Sequence, residues 1–504
     1  MMTTGPLNAV AQTIPFLSEL LSRYEELNRL YTEKARAGAN LSAVDQIRKQ
    51  GEQAFKRGDV PGILAALGEA QALLKGKKWD DRQKFLDSLT IETDRLVIEP
   101  NQILQVSLTR MFPSTIEKVF STAPTVTFVI VSGEGAAKTA DGQPAQRSQA
   151  VVVAERLTIA ETSNNAARRL LLPDGPYQVV AQLEAGGQKI AELKRPIYAI
   201  SDFSDSIARM SKTIAGIKSS PEPRIKELLP MVATPEFQLQ RLSLLNKSSG
   251  ESDLNPNQEI DRIEAELSAL AKGRNPFTKE RGEAERAYQA SDNQLVPYRV
   301  YVPKSYDGTT VKPLVVMLHG ALGDEHYYLS GLFDPAIVKG EAERRGYILA
   351  CVNGRGRFPN YSGPSLEDVF EVIDAVTRDY KIDPSRIYLT GHSLGGFGTW
   401  LVASSKPEKF AALAAVSGGP PAGGDQLTAL LQRLKGIPVM LVHGAQDGIA
   451  PVQLSRAMAA AAEKAGLKVN FVEIPGGDHL SVVASSFPAV MDFFDKNIKA
   501  VSPK

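Results

Sequence analysis

Gly391-His392-Ser393-Leu394-Gly395 has the form G-x-S-x-G, and its neighbours decide what that form means. Ahead of it, Arg386-Ile387-Tyr388-Leu389-Thr390 reads as a short strand. Behind it, Gly396-Phe397-Gly398-Thr399-Trp400-Leu401-Val402-Ala403 reads as the start of a helix. A strand–turn–helix elbow of this kind holds a serine hydroxyl out on a sharp turn. Glycines flank the serine because a Cβ there would collide with the neighbouring strand and helix. Ser393 is therefore expected to be a nucleophile.

A nucleophilic serine needs a base, and the base needs an acid to orient it. When the serine sits on such an elbow, acid and base follow it in the chain in that order. The chain has five histidines, so the search is short. His319 and His443 each end an apolar run (Val315–Leu318; Pro438–Val442) and precede a glycine, as strand-end residues that shape a site do. His392 lies inside the elbow, and His326 precedes the nucleophile in a polar loop. His479 alone is near the C-terminus, in Pro475-Gly476-Gly477-Asp478-His479, just after the strand-like Val469–Ile474. It is the expected base. Asp447, in His443-Gly444-Ala445-Gln446-Asp447, follows the end of a buried-type strand and is the expected acid. Asp425 lies before that strand. Asp478 adjoins His479, where side chains diverge. The spacings leave room for the crossovers that serial parallel strands require.

Acyl transfer also needs fixed N–H donors for the developing oxyanion. Leu394, directly after the nucleophile, is one expected donor. The loop His319-Gly320-Ala321-Leu322-Gly323, after an earlier strand, should supply the other, with Ala321 as the choice within it. His319, Leu322 and His392 are expected to border the substrate.

With these parts assembled, residues 290–504 resemble the α/β-hydrolase superfamily. They are most similar to its feruloyl, acetylxylan and polyhydroxyalkanoate-depolymerase-like esterases, which are related to the prolyl-oligopeptidase catalytic domain. Val296-Pro297-Tyr298-Arg299-Val300-Tyr301-Val302-Pro303 with Tyr306-Asp307-Gly308 looks like their opening strand and loop. Pro313 to Gly323 is like their oxyanion strand and loop. Asn353-Gly354-Arg355-Gly356 and Ser365–Val369 resemble the loop and helix before the elbow. One departure is Gly-Gly-Asp-His in the His loop, where many relatives have Gly directly before His. The resemblance implies a mostly parallel sheet with helices on both faces. It also implies two-step ester hydrolysis with no cofactor and no metal. It identifies the reaction class well and the substrate poorly.

Composition agrees with a globular protein: hydrophobic residues are 43% and charged residues 23% of 504, ordinary values. That length leaves room for roughly two to four domains. A net charge of +1 gives no electrostatic case for a nucleic-acid partner. No apolar run approaches the roughly 18–20 residues of a membrane helix. The single Cys351 lies in the apolar run Tyr347–Val352 and reads as a small core residue. Met1 to Pro15 lacks the basic start and apolar centre of a signal peptide. The doubled Met1-Met2 suits an initiator added to a mature secreted or periplasmic chain. A cytoplasmic chain is the alternative.

In residues 290–504, short apolar runs at Leu314–Leu318, Tyr347–Val352, Ile387–Thr390, Ala411–Val416, Val439–Val442 and Val469–Ile474 alternate with helical stretches such as Leu366–Tyr380 and Val452–Ala465. That is the pattern of parallel strands covered on both faces. The segment Ser417–Gly436 is too short for a helical lid, so an open site is expected unless the N-terminal half covers it. Residues 1–90 read as helical, with an apolar stripe at Leu17, Leu20, Leu21, Tyr24, Leu27 and Tyr31. Residues 91–200 read as a β-sandwich, immunoglobulin-like, with strands at Leu104–Leu108, Val126–Val131, Val151–Ile159 and Tyr177–Leu183. Residues 201–289 read as helices and a linker. The two helical regions are expected to pack as one unit around the sandwich. The repeats of a propeller are not seen.

The expected activity is hydrolysis of short-chain or aromatic esters, small or polymer-linked. Asp324, Glu325 and Arg357 suit a hydrated substrate. The alternatives are a serine peptidase using the same triad and a hydrolase-fold binding protein. A binding role for the sandwich is compatible with either.

Overall fold

The computed structural model describes residues 16–114, 119–133, 151–159, 163–247, 254–329 and 333–499. Met1–Pro15 and part of the polar run Asn246–Asn257 lie outside them. Helical spacing buries Leu20, Leu27 and Leu30 on one stripe of α1 (Leu17–Arg36). Helices α2 (Ser42–Lys56) and α3 (Val60–Leu74) close a small core against that stripe. The break between them is capped: the Asp59 carboxylate accepts from the Gly62 N–H at 2.9 Å, satisfying a donor that the first turn leaves open. A short α4 (Asp81–Asp87) leads into the strands.

Eight strands follow: β1 (Leu89–Thr93), β2 (Val97–Ile98), β3 (Ile103–Arg110), β4 (Thr125–Ser132), β5 (Val151–Thr158), β6 (Ser163–Arg169), β7 (Gly175–Ala185) and β8 (Gln188–Ala199). They form a three-stranded sheet, β1-β3-β6, and a five-stranded sheet, β2-β8-β7-β4-β5. One apolar core is shared between the sheets. Ile91, Val106 and Leu108 enter it from the first; Phe128, Val179, Ala181 and Leu183 enter it from the second. Then come α5 (Phe203–Lys218), the one-turn α6 (Pro223–Lys226), α7 (Ala233–Leu242) and α8 (Pro256–Ala271). These helices have a core of their own, built on Phe203, Met210, Leu242 and Ile263 together with Leu96 and Val97. The two helical regions therefore do not merge into one unit. The first shares its core with Met111 and Phe112 instead.

The C-terminal half runs β9 (Gly282–Gln289), β10 (Leu295–Val302), β11 (Lys312–Leu318), α9 (Pro335–Arg345), β12 (Ile348–Val352), α10 (Pro364–Asp379), β13 (Ile382–His392), α11 (Leu394–Ser405), β14 (Ala412–Val416), α12 (Gly424–Arg433), β15 (Val439–Gly444), α13 (Gln453–Lys464), β16 (Val469–Ile474) and α14 (Ser481–Lys496). Its eight strands lie in the order β16-β15-β14-β13-β11-β12-β10-β9. From β11 to β16 all pairings are parallel, and β10 and β9 close one edge antiparallel. Strands such as Leu314–Leu318 are buried throughout because both faces are covered. One core takes in Val369, Trp400, Leu431 and Met458 from α10 to α13. The other takes in Val338 from α9 and Phe487, Met491 and Phe494 from α14. The segment after β14 holds only α12, whose Leu430 and Leu431 join the first core, so no lid arises there. Among the described residues no helix is long and apolar enough to cross a membrane.

The sheet begins at Gly282, inside the stretch expected to be a linker. The charged sequence Gly282-Glu283-Ala284-Glu285-Arg286 hides this strand, yet Glu285 and Arg286 are buried. Partners elsewhere make that possible. Glu285 pairs with Arg241 of α7, and Arg262 of α8 stands 3.8 Å away. Arg286 pairs with Glu280 and lies 3.7 Å over the Phe277 ring. Burial pushes nearby Glu266 up to about 7. Removing one member of a buried pair leaves the other uncompensated. Arg241→Met should therefore lower stability by about 3–5 kcal/mol, read as a fall in the thermal midpoint. Adding Glu285→Met should recover most of the loss. A double variant as unstable as the single would show that the pair does not anchor this edge.

Candidate active site

Strand β13 ends at His392 and helix α11 starts at Leu394. Ser393 is the whole turn between them, with φ +55° and ψ −119°. That is an unfavourable conformation for a residue with a side chain. Backbone packing enforces it. The Ser393 N–H donates to the Val416 carbonyl at 2.9 Å. A Cβ on Gly391 would stand 2.1 Å from the Gly395 oxygen, and one on Gly395 would stand 2.0 Å from the Leu318 oxygen. The two glycines are thus required by close approach, and neither has a positive φ.

Ser393 Oγ lies 3.0 Å from His479 Nε2, and His479 Nδ1 lies 2.7 Å from Asp447 Oδ2. The three loops that meet here follow β13, β15 and β16. An ionised carboxylate can only accept, so Nδ1 carries the ring proton and Nε2 is left to accept from the serine. Asp447 and His479 are buried, while Ser393 stays partly exposed. Burial alone would raise the Asp447 pKa. Hydrogen bonds from His443 and His479, and from the backbone at Ala450, outweigh it and hold the carboxyl well below the usual range. Oδ1 accepts from the N–H groups of Ile449 and Ala450 at 2.9 and 2.8 Å. Among the described residues, His443 Nε2 stands 3.1 Å from Oδ2.

The loop after β11 runs beside the serine: a Cβ on Gly320 would stand 3.1 Å from Ser393 Cβ. Gly323 N–H closes a turn to the Gly320 carbonyl at 3.2 Å, and Leu322, at φ +64°, donates to the Arg357 carbonyl at 2.5 Å. Ala321 and Leu394 are both partly exposed around Ser393. Leu394 also opens α11, where first-turn N–H groups lack helical partners.

Two residues expected to border the substrate do other work. His319 is buried, with Nδ1 2.8 Å from the Gly320 carbonyl and Nε2 2.6 Å from the Asn353 carbonyl. His392 is buried, with Nδ1 2.8 Å from the Tyr327 hydroxyl and Nε2 2.7 Å from the His479 carbonyl. Neither ring has a nitrogen to offer a substrate. Burial lowers the pKa of both. Leu322 faces away as well, packing on the core of α1–α3. Asp324 and Arg357 pair with each other at 2.8 Å, and Glu325 accepts from Asn353 Nδ2 at 2.6 Å. These charges brace the loop. Tyr361, whose hydroxyl donates to the His319 carbonyl at 2.9 Å, and Tyr327 are further braces. The sequence gives no signal for them beyond aromatic residues in loops.

The site's other neighbour is the first helical unit. Ile449 and Leu480, on the loops that carry Asp447 and His479, line one small cavity with Tyr24, Leu27, Ile47 and Leu67. Arg48 Nη2 reaches Asp478 Oδ2 at 2.9 Å. The N-terminal half thus covers a flank that the sequence leaves open. Elsewhere, Glu285, Glu325 and His326 bring possible metal-ligand atoms within 4.8 Å of one another. Arg241 and Arg262 already balance Glu285 there, which disfavours a cation.

Residues 342–419 match the family model described as the prolyl oligopeptidase family. A bifunctional acetylxylan esterase/xylanase of Neocallimastix patriciarum is 27% identical over 153 residues, covering 30% of this chain and 21% of that protein. An uncharacterized peptidase of Bacillus subtilis is 26% identical over 234 residues, covering 39% of this chain and 35% of that one. The feruloyl esterase module from Clostridium thermocellum, solved with sinapinate, has a TM-score of 0.38 at 16% identity, covering 45% of this chain and 95% of that one. The chain thus spans about a third or less of the length of the two curated relatives, and its catalytic half is similar to α/β-hydrolase serine esterases.

Proposed function

We propose that the protein is a serine carboxylic-ester hydrolase working through an acyl-enzyme. The reading rests on one observation: the Ser393 hydroxyl, on an enforced elbow, stands 3.0 Å from an imidazole that Asp447 orients at 2.7 Å. His479 takes the proton from Ser393 as the hydroxyl attacks the ester carbonyl. The N–H groups of Ala321 and Leu394 stabilise the tetrahedral oxyanion. His479 then protonates the leaving alcohol. It next activates a water that hydrolyses the acyl-enzyme and frees Ser393. Asp447 holds the ring in the required tautomer and stabilises its charged form.

A peptidase is the second reading. The match to the prolyl oligopeptidase family and the similarity to an uncharacterized peptidase favour it. The same groups would act on an amide. Matched ester and anilide substrates separate the readings by their kcat/KM.

The proposed substrates are short-chain or aromatic esters, free or linked to a polysaccharide or polyester. A polymer-linked ester would place the enzyme outside the cytoplasm. A long acyl chain needs an extended apolar cleft, and the segment after β14 is folded into the core. The strands from β1 to β8 are read as an immunoglobulin-like sandwich with a structural part beside the enzyme.

Ser393→Ala should lower ester turnover by several orders of magnitude, and His479→Ala comparably, with Asp447→Asn milder. All three should keep the wild-type circular dichroism spectrum. Near-normal turnover by Ser393→Ala would refute the nucleophile. In a series of p-nitrophenyl esters, kcat/KM should peak between acetyl and hexanoyl. A rise continuing to lauroyl, with activation at an oil–water interface, would refute the substrate class.

A further inference from the structure

The loops that carry Leu322, Asp447 and His479 all touch one surface, and it belongs to helices α1–α3. Leu322, on the oxyanion loop, packs on the core of this unit. The Glu52 carboxylate lies over Gly448, the residue after Asp447: a Cβ there would stand 2.3 Å from Glu52 Oε2. Arg48 reaches the base loop. Its guanidinium is held from behind, stacked 4.6 Å over the Tyr31 ring. Tyr31 in turn donates its hydroxyl to Asp45 at 2.9 Å, and Asp45 lies 3.7 Å from Arg48.

The residue that Arg48 grips is Asp478, the immediate neighbour of His479. Asp478 uses its two oxygens differently. Oδ1 accepts from the N–H groups of Leu480 and Ser481, at 3.1 and 2.7 Å, and so caps α14. Oδ2 takes the Arg48 bond at 2.9 Å. On the inner side His392 Nε2 donates to the His479 carbonyl at 2.7 Å. The base loop is thus fixed from both sides, by His392 within the catalytic half and by Arg48 from a helix at the other end of the chain. The Arg48 side chain is only 15% exposed; the Asp478 carboxylate faces it across the seam, and Glu52 lies one turn on along the same helix. A partly buried charge pair held by a stack has less freedom to drift than an exposed one.

We propose that Arg48 of α2 is a positioning residue that sets the His479 ring through Asp478. This rests on the reading of Ser393, His479 and Asp447 as the triad. A displacement of the base by a fraction of an ångström weakens its bond to Ser393 in the transition state, a loss made only there. The effect therefore belongs in kcat.

The test counts competent sites first, by titrating the full-length protein to completion with a fluorophosphonate. Failure of wild type to label at Ser393 would overturn the triad itself, which is distinguishable from everything below. Arg48→Met should lower kcat per titrated site by about tenfold to a hundredfold, with KM within about twofold. Arg48→Lys, which keeps the charge, should recover most of that loss. Asp478→Asn keeps an oxygen for the α14 cap and so tests the pair even if Arg48→Met does not fold. It should lose kcat to a similar degree, and the double variant should be little worse than either single. Arg36→Ala breaks a different tie between the same helices and the catalytic half, the 3.0 Å pair with Asp334. It should leave kcat unchanged. Unchanged kcat per site in Asp478→Asn would overturn the proposal. So would additive losses in the double variant, or an equal loss in Arg36→Ala.

Discussion

The catalytic half is organised by a contact with no side chain in it. Where α11 leaves β13, the backbone of Gly395 presses on the Leu318 carbonyl, and Gly391 presses on Gly395. No other residue fits at either point. This approach turns the chain sharply enough to put Ser393 in its strained conformation and brings the end of β11 alongside. The hydroxyl is displayed because the backbone has nowhere else to go. The loops after β11, β15 and β16 end at the same edge of the sheet, so they converge on the serine. Parallel pairing from β11 to β16 makes that convergence a property of topology.

Four of the five histidines stand around this turn, and their neighbours give each a separate task. His479 has a carboxylate on one nitrogen and the serine on the other. His443 spends its ring on Ser455, the Ala450 carbonyl and Asp447. His319 and His392 spend theirs on carbonyls and a tyrosine hydroxyl. Burial lowers the pKa of the last two, which disfavours their charged forms.

What was legible in the sequence is what depends on short stretches. The elbow, the loop residues Asp447 and His479, and the apolar strands from β11 to β16 each announce themselves within about ten residues. What was not legible depends on distant partners. Strand β9 looked like a linker because Glu285 and Arg286 are charged, and only Arg241, Glu280 and Phe277 make their burial tolerable. His319 and His392 looked available to substrate because a sequence does not print the carbonyls their rings meet. The seat of α1–α3 on the catalytic loops left no trace: Arg48 reads as one more cation on a polar helix face.

That seat bears on how the molecule comes to exist. Arg48 and Asp478 lie far apart in the sequence, so the contact between them waits until β16 has emerged. Helices α1–α3 can collapse on their own small core soon after synthesis. The face that meets Ile449, Asp478 and Leu480 must then wait, uncovered, until β15, β16 and α14 have emerged and the sheet has closed. Contacts of such long range form slowly, and a waiting apolar face is open to wrong partners. A chain interrupted before β16 would carry the elbow and its serine but neither His479 nor the Asp478 and Leu480 that help cover that face. The finished parallel sheet thus serves as a folding partner for helices that precede it in the chain.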